Sequence, residues 1–128
     1  MNEARAWAMA RMEDVPTRDP SFGGGWHSIR HHFGISAFGV NANEAGEGEE
    51  LIEPHDEAAE RQEELFVVVR GRARFTCDGE EVELGPGGML YARPDVRRQA
   101  VALEPSTLVL MVGGAPGEPY EVPDWDRD

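Results

Sequence analysis

The run IEPHDEAAERQEELFVVVRG, residues 52–71, sets His55, Glu57 and Glu64 at the start of an apolar stretch. Side chains alternate along extended backbone, so His55 and Glu57, two positions apart, project to one face if a strand reaches that far. Glu64 opens the next run, where it shares a face with Phe66 and Val68 while Leu65, Val67 and Val69 take the other. With Glu64 turned inward, the three polar groups converge inside a β structure. One imidazole with two carboxylates suits Fe, Mn, Ni or Zn better than a soft-metal site, and three protein ligands leave positions open for substrate or water. In a chain with 25 acidic residues there is also a plainer reading, in which HDEAAERQEE is a solvated acidic loop and His55 only ends a strand.

The elements that must hold these residues are short. From residue 35 onward, apolar runs are punctuated by Gly, Pro and Asp, the texture of an all-β sandwich or barrel. Strands are expected at 35–41, 48–54, 64–70, 72–77, 80–84, 88–93, 97–103 and 106–112, enough for two sheets. Asp78-Gly79 predicts a tight hairpin, and GPGG at 85–88 the next turn. LFVVV is apolar on both faces, which predicts a central strand covered by a sheet on one side and by something else, such as a second subunit, on the other. Ahead of the barrel, residues 3–12 predict a short amphipathic helix ended by Pro16. SFGGGW then reads as a hinge, and WHSIRHHF as a helical turn or the start of a strand. The tail from residue 114 is too rich in Pro and acid to continue a sheet, but Tyr120 and Trp125 could anchor it on the barrel. The expected organisation is an N-terminal extension over 1–34, a barrel over 35–113 and a packed tail over 114–128.

Residues 46–112 resemble the cupin superfamily of small jelly-roll barrels, whose first motif runs Gly, five residues, His-x-His, a short spacer, Glu, six residues, Gly. Glu64 and Gly71 match its end, and His55-Asp56-Glu57 stands where His-x-His is expected, with Glu57 in place of the second His and a spacer of six residues rather than three or four. GGMLYARPDVRR resembles the second motif. Gly87 takes its first position, Arg93 the Pro with Pro94 just after it, Asp95 the Gly, and Arg98 the place of the last metal-binding His. A guanidinium offers no lone pair and cannot ligate a cation. The resemblance therefore implies a jelly-roll fold with a degenerate metal site. By alternation Arg98 shares a face with Ala100 and Ala102, so an inward Arg98 could meet Glu64 or Glu57, or hold a carboxylate or phosphate of a ligand.

The resemblance implies a small-molecule-binding protein like the small single-domain bacterial cupins, with a pocket of His55, Glu64, Arg98, Phe66, Phe75 and Tyr91, no cofactor, and a homodimeric assembly. The alternative is a metal-dependent dioxygenase or isomerase that holds a divalent ion on His55, Glu57 and Glu64. A third possibility is an assembly module built on LFVVV. The aromatics could equally be ordinary core, and His27 a surface residue. Of the adjacent His31 and His32, at most one could point inward. Cys77, beside a turn with no neighbouring His, reads as packing rather than nucleophile.

Composition bounds the rest. A chain of 128 residues, 40% hydrophobic, fits one core. Net charge −13 disfavours nucleic acid and anionic membrane as partners. The apolar runs fall far short of the ~20 residues of a bilayer span, the N-terminus lacks a signal-peptide pattern, and a lone cysteine suits a reducing compartment. A cytoplasmic protein is expected. No phosphate-cradling Gly loop and no serine elbow is present.

Overall fold

The computed structural model describes residues 6–17 and 25–127. Two antiparallel sheets face each other. The first has five strands in the order β1 (Trp26–His27), β2 (Gly39–Ala45), β9 (Thr107–Gly114), β4 (Glu63–Arg70) and β7 (Met89–Ala92). The second has four, in the order β3 (Glu50–His55), β8 (Arg98–Ala102), β5 (Ala73–Cys77) and β6 (Glu80–Leu84). This is the all-β architecture that the strand rhythm implied, and the jelly roll that the cupin resemblance implied.

The inner faces follow from the period of two. On β4, Phe66 and Val68 are buried with Glu64 in line before them, while Leu65 and Val69 are exposed on the outside. Phe66 meets Phe75 of the opposite sheet with ring centroids 5.7 Å apart, a tilted pairing that adds about 1 kcal/mol to the burial of the two rings. Ala73, Ala100 and Ala102 are fully buried and small, which lets the sheets close on those rings. The β5–β6 hairpin turns on Asp78 and Gly79, both at positive φ (49° and 88°), and Cys77 pairs with Glu80. At Gly71, φ is 78° and an added Cβ would stand 2.4 Å from Thr107 Oγ1, so only glycine fits the turn from β4 to β5.

Three expectations shift. Residues 6–11 carry no helix, and Trp7 and Met9 lie exposed; a helix of ten residues is marginal alone. Among the described residues the helical content lies instead in two 3-10 turns, Met12–Asp14 and Asp124–Asp126, and in α1, Ile29–Phe33, which ends on left-handed Gly34 at φ 71°. The strand expected at 35–41 runs at 39–45. Its register on β9, from Gly39 opposite Gly113 to Ala45 opposite Thr107, carries Asn41 and Asn43 into the strand, although both are turn formers by propensity. WHSIRHHF supplies both a strand, β1, and a helix. The hinge over 21–24 and residues 3–5 lie outside the described residues.

The chain end is tied to this N-terminal region. Asp126, almost fully buried, accepts from Arg30 Nε at 2.6 Å and Ser28 Oγ at 2.7 Å, and its backbone carbonyl accepts from Arg30 Nη2 at 2.9 Å. Trp125 stands edge-on to Trp26, with centroids 5.6 Å apart. Tyr120 lies against Gly39, where a Cβ would come within 2.8 Å of its hydroxyl. Replacing Asp126 by Ala strands a buried guanidinium, which costs about 3–5 kcal/mol. Urea denaturation of Asp126→Ala should show a loss of that order, whereas a loss under 1 kcal/mol would mean that the clasp adds little.

Candidate functional site

Two register shifts on β3 bring His55 directly opposite Arg98 on β8, within the four-stranded sheet. Glu64 arrives from the other sheet, on β4 between Gly113 and Ala92. Gly113 leaves it room: a Cβ there would stand 3.2 Å from the Glu64 side chain. Glu57 follows β3 and is fixed by its backbone N–H, which donates to Pro94 O at 2.8 Å. The residues between Glu57 and Glu64 fold into a compact turn. Gln62 N donates back to Glu57 O, Arg61 takes a positive φ of 54°, and its side chain pairs with Glu118.

The imidazole is oriented by its surroundings. Nδ1 lies 2.8 Å from Glu53 O, an acceptor only, so Nδ1 carries a proton and donates. Nε2 then faces Glu57 Oε2 at 3.0 Å and Glu64 Oε1 at 3.8 Å. A bare lone pair pointed at two carboxylates is unfavourable, so this nitrogen calls for a proton or a cation. Accordingly the His55 pKa is raised, chiefly by its hydrogen bond with Glu57, with burial opposing. The Glu64 carboxyl is also raised, first by burial and then by the charge of Glu57, while Arg98 and His55 act to lower it.

His55, Glu57 and Glu64 each offer a ligand atom within 4.8 Å of the others. They fit a first-row divalent ion in donor type, in spacing and in the Nε2 that faces both carboxylates. Arg98 bears on the same place. It is fully buried, its Nε stands 3.7 Å from Glu64 Oε1, and its Nη2 donates to Arg93 O at 2.9 Å. Among the described residues Nε, Nη1 and Glu64 Oε1 have no hydrogen-bond partner. The guanidinium supplies positive charge to Glu64 without completing a hydrogen bond, and it lies behind the carboxylate rather than on the pocket wall.

The pocket in front of these residues has a volume of about 980 Å³. His55, Glu57 and Glu64 line it, together with the inner face of β2 (Asn41, Asn43), Met111 of β9 and the tail residues Tyr120 and Trp125. The aromatics expected there are elsewhere. Phe66 and Phe75 belong to the core between the sheets. Tyr91 is 57% exposed, pairs in register with outward Leu65, and donates its hydroxyl to Glu63 at 2.8 Å. The even spacing from Glu64 sets Phe66 on the inner face, but it leads deeper into the core rather than along the pocket wall. Asn41, Asn43, Trp26, Tyr120 and Trp125 were not singled out as site residues from the sequence; the signal for the first two is the row Gly39, Asn41, Asn43, Ala45, with polar side chains between small ones on one face.

The family model for the cupin domain matches residues 45–113, from the last residue of β2 to the penultimate residue of β9. The chain belongs to the cupin family. No curated protein matches it. Among solved structures, this cupin is similar to a cupin protein from Bacteroides fragilis, with TM-score 0.67 and 21% identity over 96% of this chain and 93% of that one. It is also similar to KdgF from Halomonas sp., with TM-score 0.56 and 28% identity over 62% of this chain and 69% of that one. A Cupin 2 conserved barrel domain protein from Salinispora arenicola gives TM-score 0.52 and 20% identity over 63% and 66%. Among the described residues no helix is long and apolar enough to cross a membrane.

Both raised groups act on stability in one direction. The His55 contribution is fully present below the ordinary imidazole value of about 6.5 and is lost as pH rises through the higher folded value. The penalty of ionising buried Glu64 is absent below the ordinary carboxylate range and grows as pH rises through its raised value. Relative to the parent protein, Glu64→Gln should therefore be more stabilising at pH 8 than at pH 4.5 in denaturant titrations, and His55→Gln more destabilising at pH 6 than at pH 8. Stability differences that stay flat across that range would contradict the electrostatics described.

Proposed function

We propose that this cupin binds a small organic molecule in the pocket before His55, Glu57 and Glu64, and that Arg98 takes over the charge-balancing part of a metal ion. The observation that carries this reading is the fully buried guanidinium 3.7 Å from Glu64 Oε1, at the position that the family motif gives to an imidazole. A cation buried behind Glu64 stabilises the carboxylate without ligating anything. The pocket remains free for a ligand and is of ordinary size for one. A soluble cytoplasmic protein of bacterial type, without a resident cofactor, is the setting that this reading fits.

A second reading is supported by the three ligand atoms within 4.8 Å of one another. There the protein is a metal-dependent dioxygenase or isomerase in which His55, Glu57 and Glu64 hold Fe, Mn, Ni or Zn. Such an ion would polarise a substrate oxygen or acidify a bound water. His55 and the two carboxylates would position it, and Arg98 would hold Glu64 ionised. For either reading, a homodimer would cover the outer face of β4 and β7, where Leu65, Val69, Met89 and Tyr91 are exposed together.

Metal analysis of protein purified without a His tag separates the readings. The first predicts less than 0.1 equivalent of any transition metal per chain, order of magnitude, and a divalent-ion affinity that rises at least tenfold in Arg98→His, where an imidazole replaces a competing cation. Stoichiometric metal in the parent protein that disappears in His55→Ala would establish the second.

A further inference from the structure

The pocket wall is chemically one-sided. Of the described residues lining it, nine are Asp or Glu and none is Arg or Lys. Cations stand behind some of these carboxylates: Arg70 holds Glu44 at 2.8 Å, and Arg127 lies 3.7 Å from Asp124. For Glu50, Glu53 and Glu60 no cation pairs among the described residues. An anionic ligand entering this space would meet a strongly negative field, focused by the low-dielectric barrel behind it.

A second observation is independent of charge. Asn41 and Asn43 are 7% and 5% exposed, both line the pocket from the inner face of β2, and among the described residues the Oδ1 of each lacks a hydrogen-bond partner. The orientation of Asn43 is set by its neighbour, since Nδ2 donates to Leu51 O and leaves Oδ1 as the free end. Two buried carbonyl acceptors without donors leave hydrogen bonding unmet, a deficit that a bound donor removes. Two residues apart on a strand, they stand roughly 7 Å from each other. The wall thus offers acceptors in quantity. It asks for a ligand rich in N–H or O–H groups that tolerates negative charge.

We propose that the pocket takes an organic cation, a short aliphatic amine bearing more than one ammonium group. An ammonium donates and never accepts, which matches a wall of carboxylates and amide oxygens better than a hydroxyl, which needs donors as well. Trp125 and Tyr120 on the same wall provide faces for the methylenes and for cation–π attraction. The proposal rests on the small-molecule reading above and gives that site a ligand class.

Three probes of one chain length separate the chemistries: 1,5-diaminopentane, 1,5-pentanediol and glutarate, titrated calorimetrically into the full chain at physiological salt. The diamine should bind saturably with one molecule per chain, and the diol and the diacid at least tenfold more weakly. Asn41→Leu, which removes one acceptor and leaves the Asn43 contact with Leu51 intact, should weaken the diamine at least tenfold with unchanged circular dichroism. Should Asn41→Leu not fold, the double variant Glu50→Gln, Glu53→Gln reports instead, with a loss of several-fold. Diol or glutarate binding as tightly as the diamine would overturn the proposal, as would diamine binding indifferent to every variant, the mark of loose counter-ion attraction to an acidic surface. If native mass spectrometry finds a different small molecule retained and the diamine is inert, the amine assignment falls and the small-molecule reading stands; if the protein retains no small molecule and none of the probes binds, both fall.

Discussion

A carboxylate stands inside an apolar barrel, and much of the site is arranged around its charge. Glu64 is placed there by the same alternation that buries Phe66 and Val68, so it cannot turn outward without turning them out too. Positive charge must therefore be brought to it. The sheet opposite does this with one fixed cation, Arg98, and one titratable group, His55, paired across β3 and β8. Burial and the nearby Glu57 still push the Glu64 carboxyl upward, which shows that the compensation is incomplete. A buried ion pair of this geometry is poor evidence for stability gained, since desolvation of both partners offsets their attraction. Its value is chemical: it holds a polar, partly unsatisfied group at the deep end of a pocket.

That pocket is not made by the barrel alone. Its outer wall is the chain's C-terminal segment, held by Asp126 on Arg30 and Ser28, residues that lie just beyond β1. The C-terminal segment and the segment after β1 thus meet to shape a space whose floor is set by the strands between them. The arrangement makes the site dependent on a single buried carboxylate ninety-six residues away from its guanidinium partner. It also explains why β2 carries asparagines where a strand of this fold could carry apolar residues. Their side chains face a cavity rather than the closed core.

Much of this was legible from residue types alone. The hairpin at Asp78-Gly79 follows from φ preferences, the inward set Glu64, Phe66 and Val68 from the pleat, and the nearness of His55, Glu57 and Glu64 from two short spacings and one turn. The departures share a cause. The local pattern over 3–12 predicts an amphipathic helix, but residues 6–11 form none, with Trp7 and Met9 exposed, because so short a helix is marginal alone. The strand expected at 35–41 runs at 39–45, where the ladders with β1 and β9 keep Asn41 and Asn43 extended against their local preference for turns. Tyr91 was assigned to the pocket as an aromatic in the second motif; its register opposite Leu65 turns it outward.

By itself the sequence determined what covalent chemistry and local sterics control: which side chains share a face, where glycine permits a turn, that Arg98 cannot bind a metal, and that the net charge is strongly negative. The tertiary structure decided which faces meet. His55 opposite Arg98, Asp126 under Arg30, and two asparagines turned into a cavity are all contacts between residues far apart in the chain. Their formation depends on bulges, register and loop closure, free energies of the whole fold that no short window of residues contains.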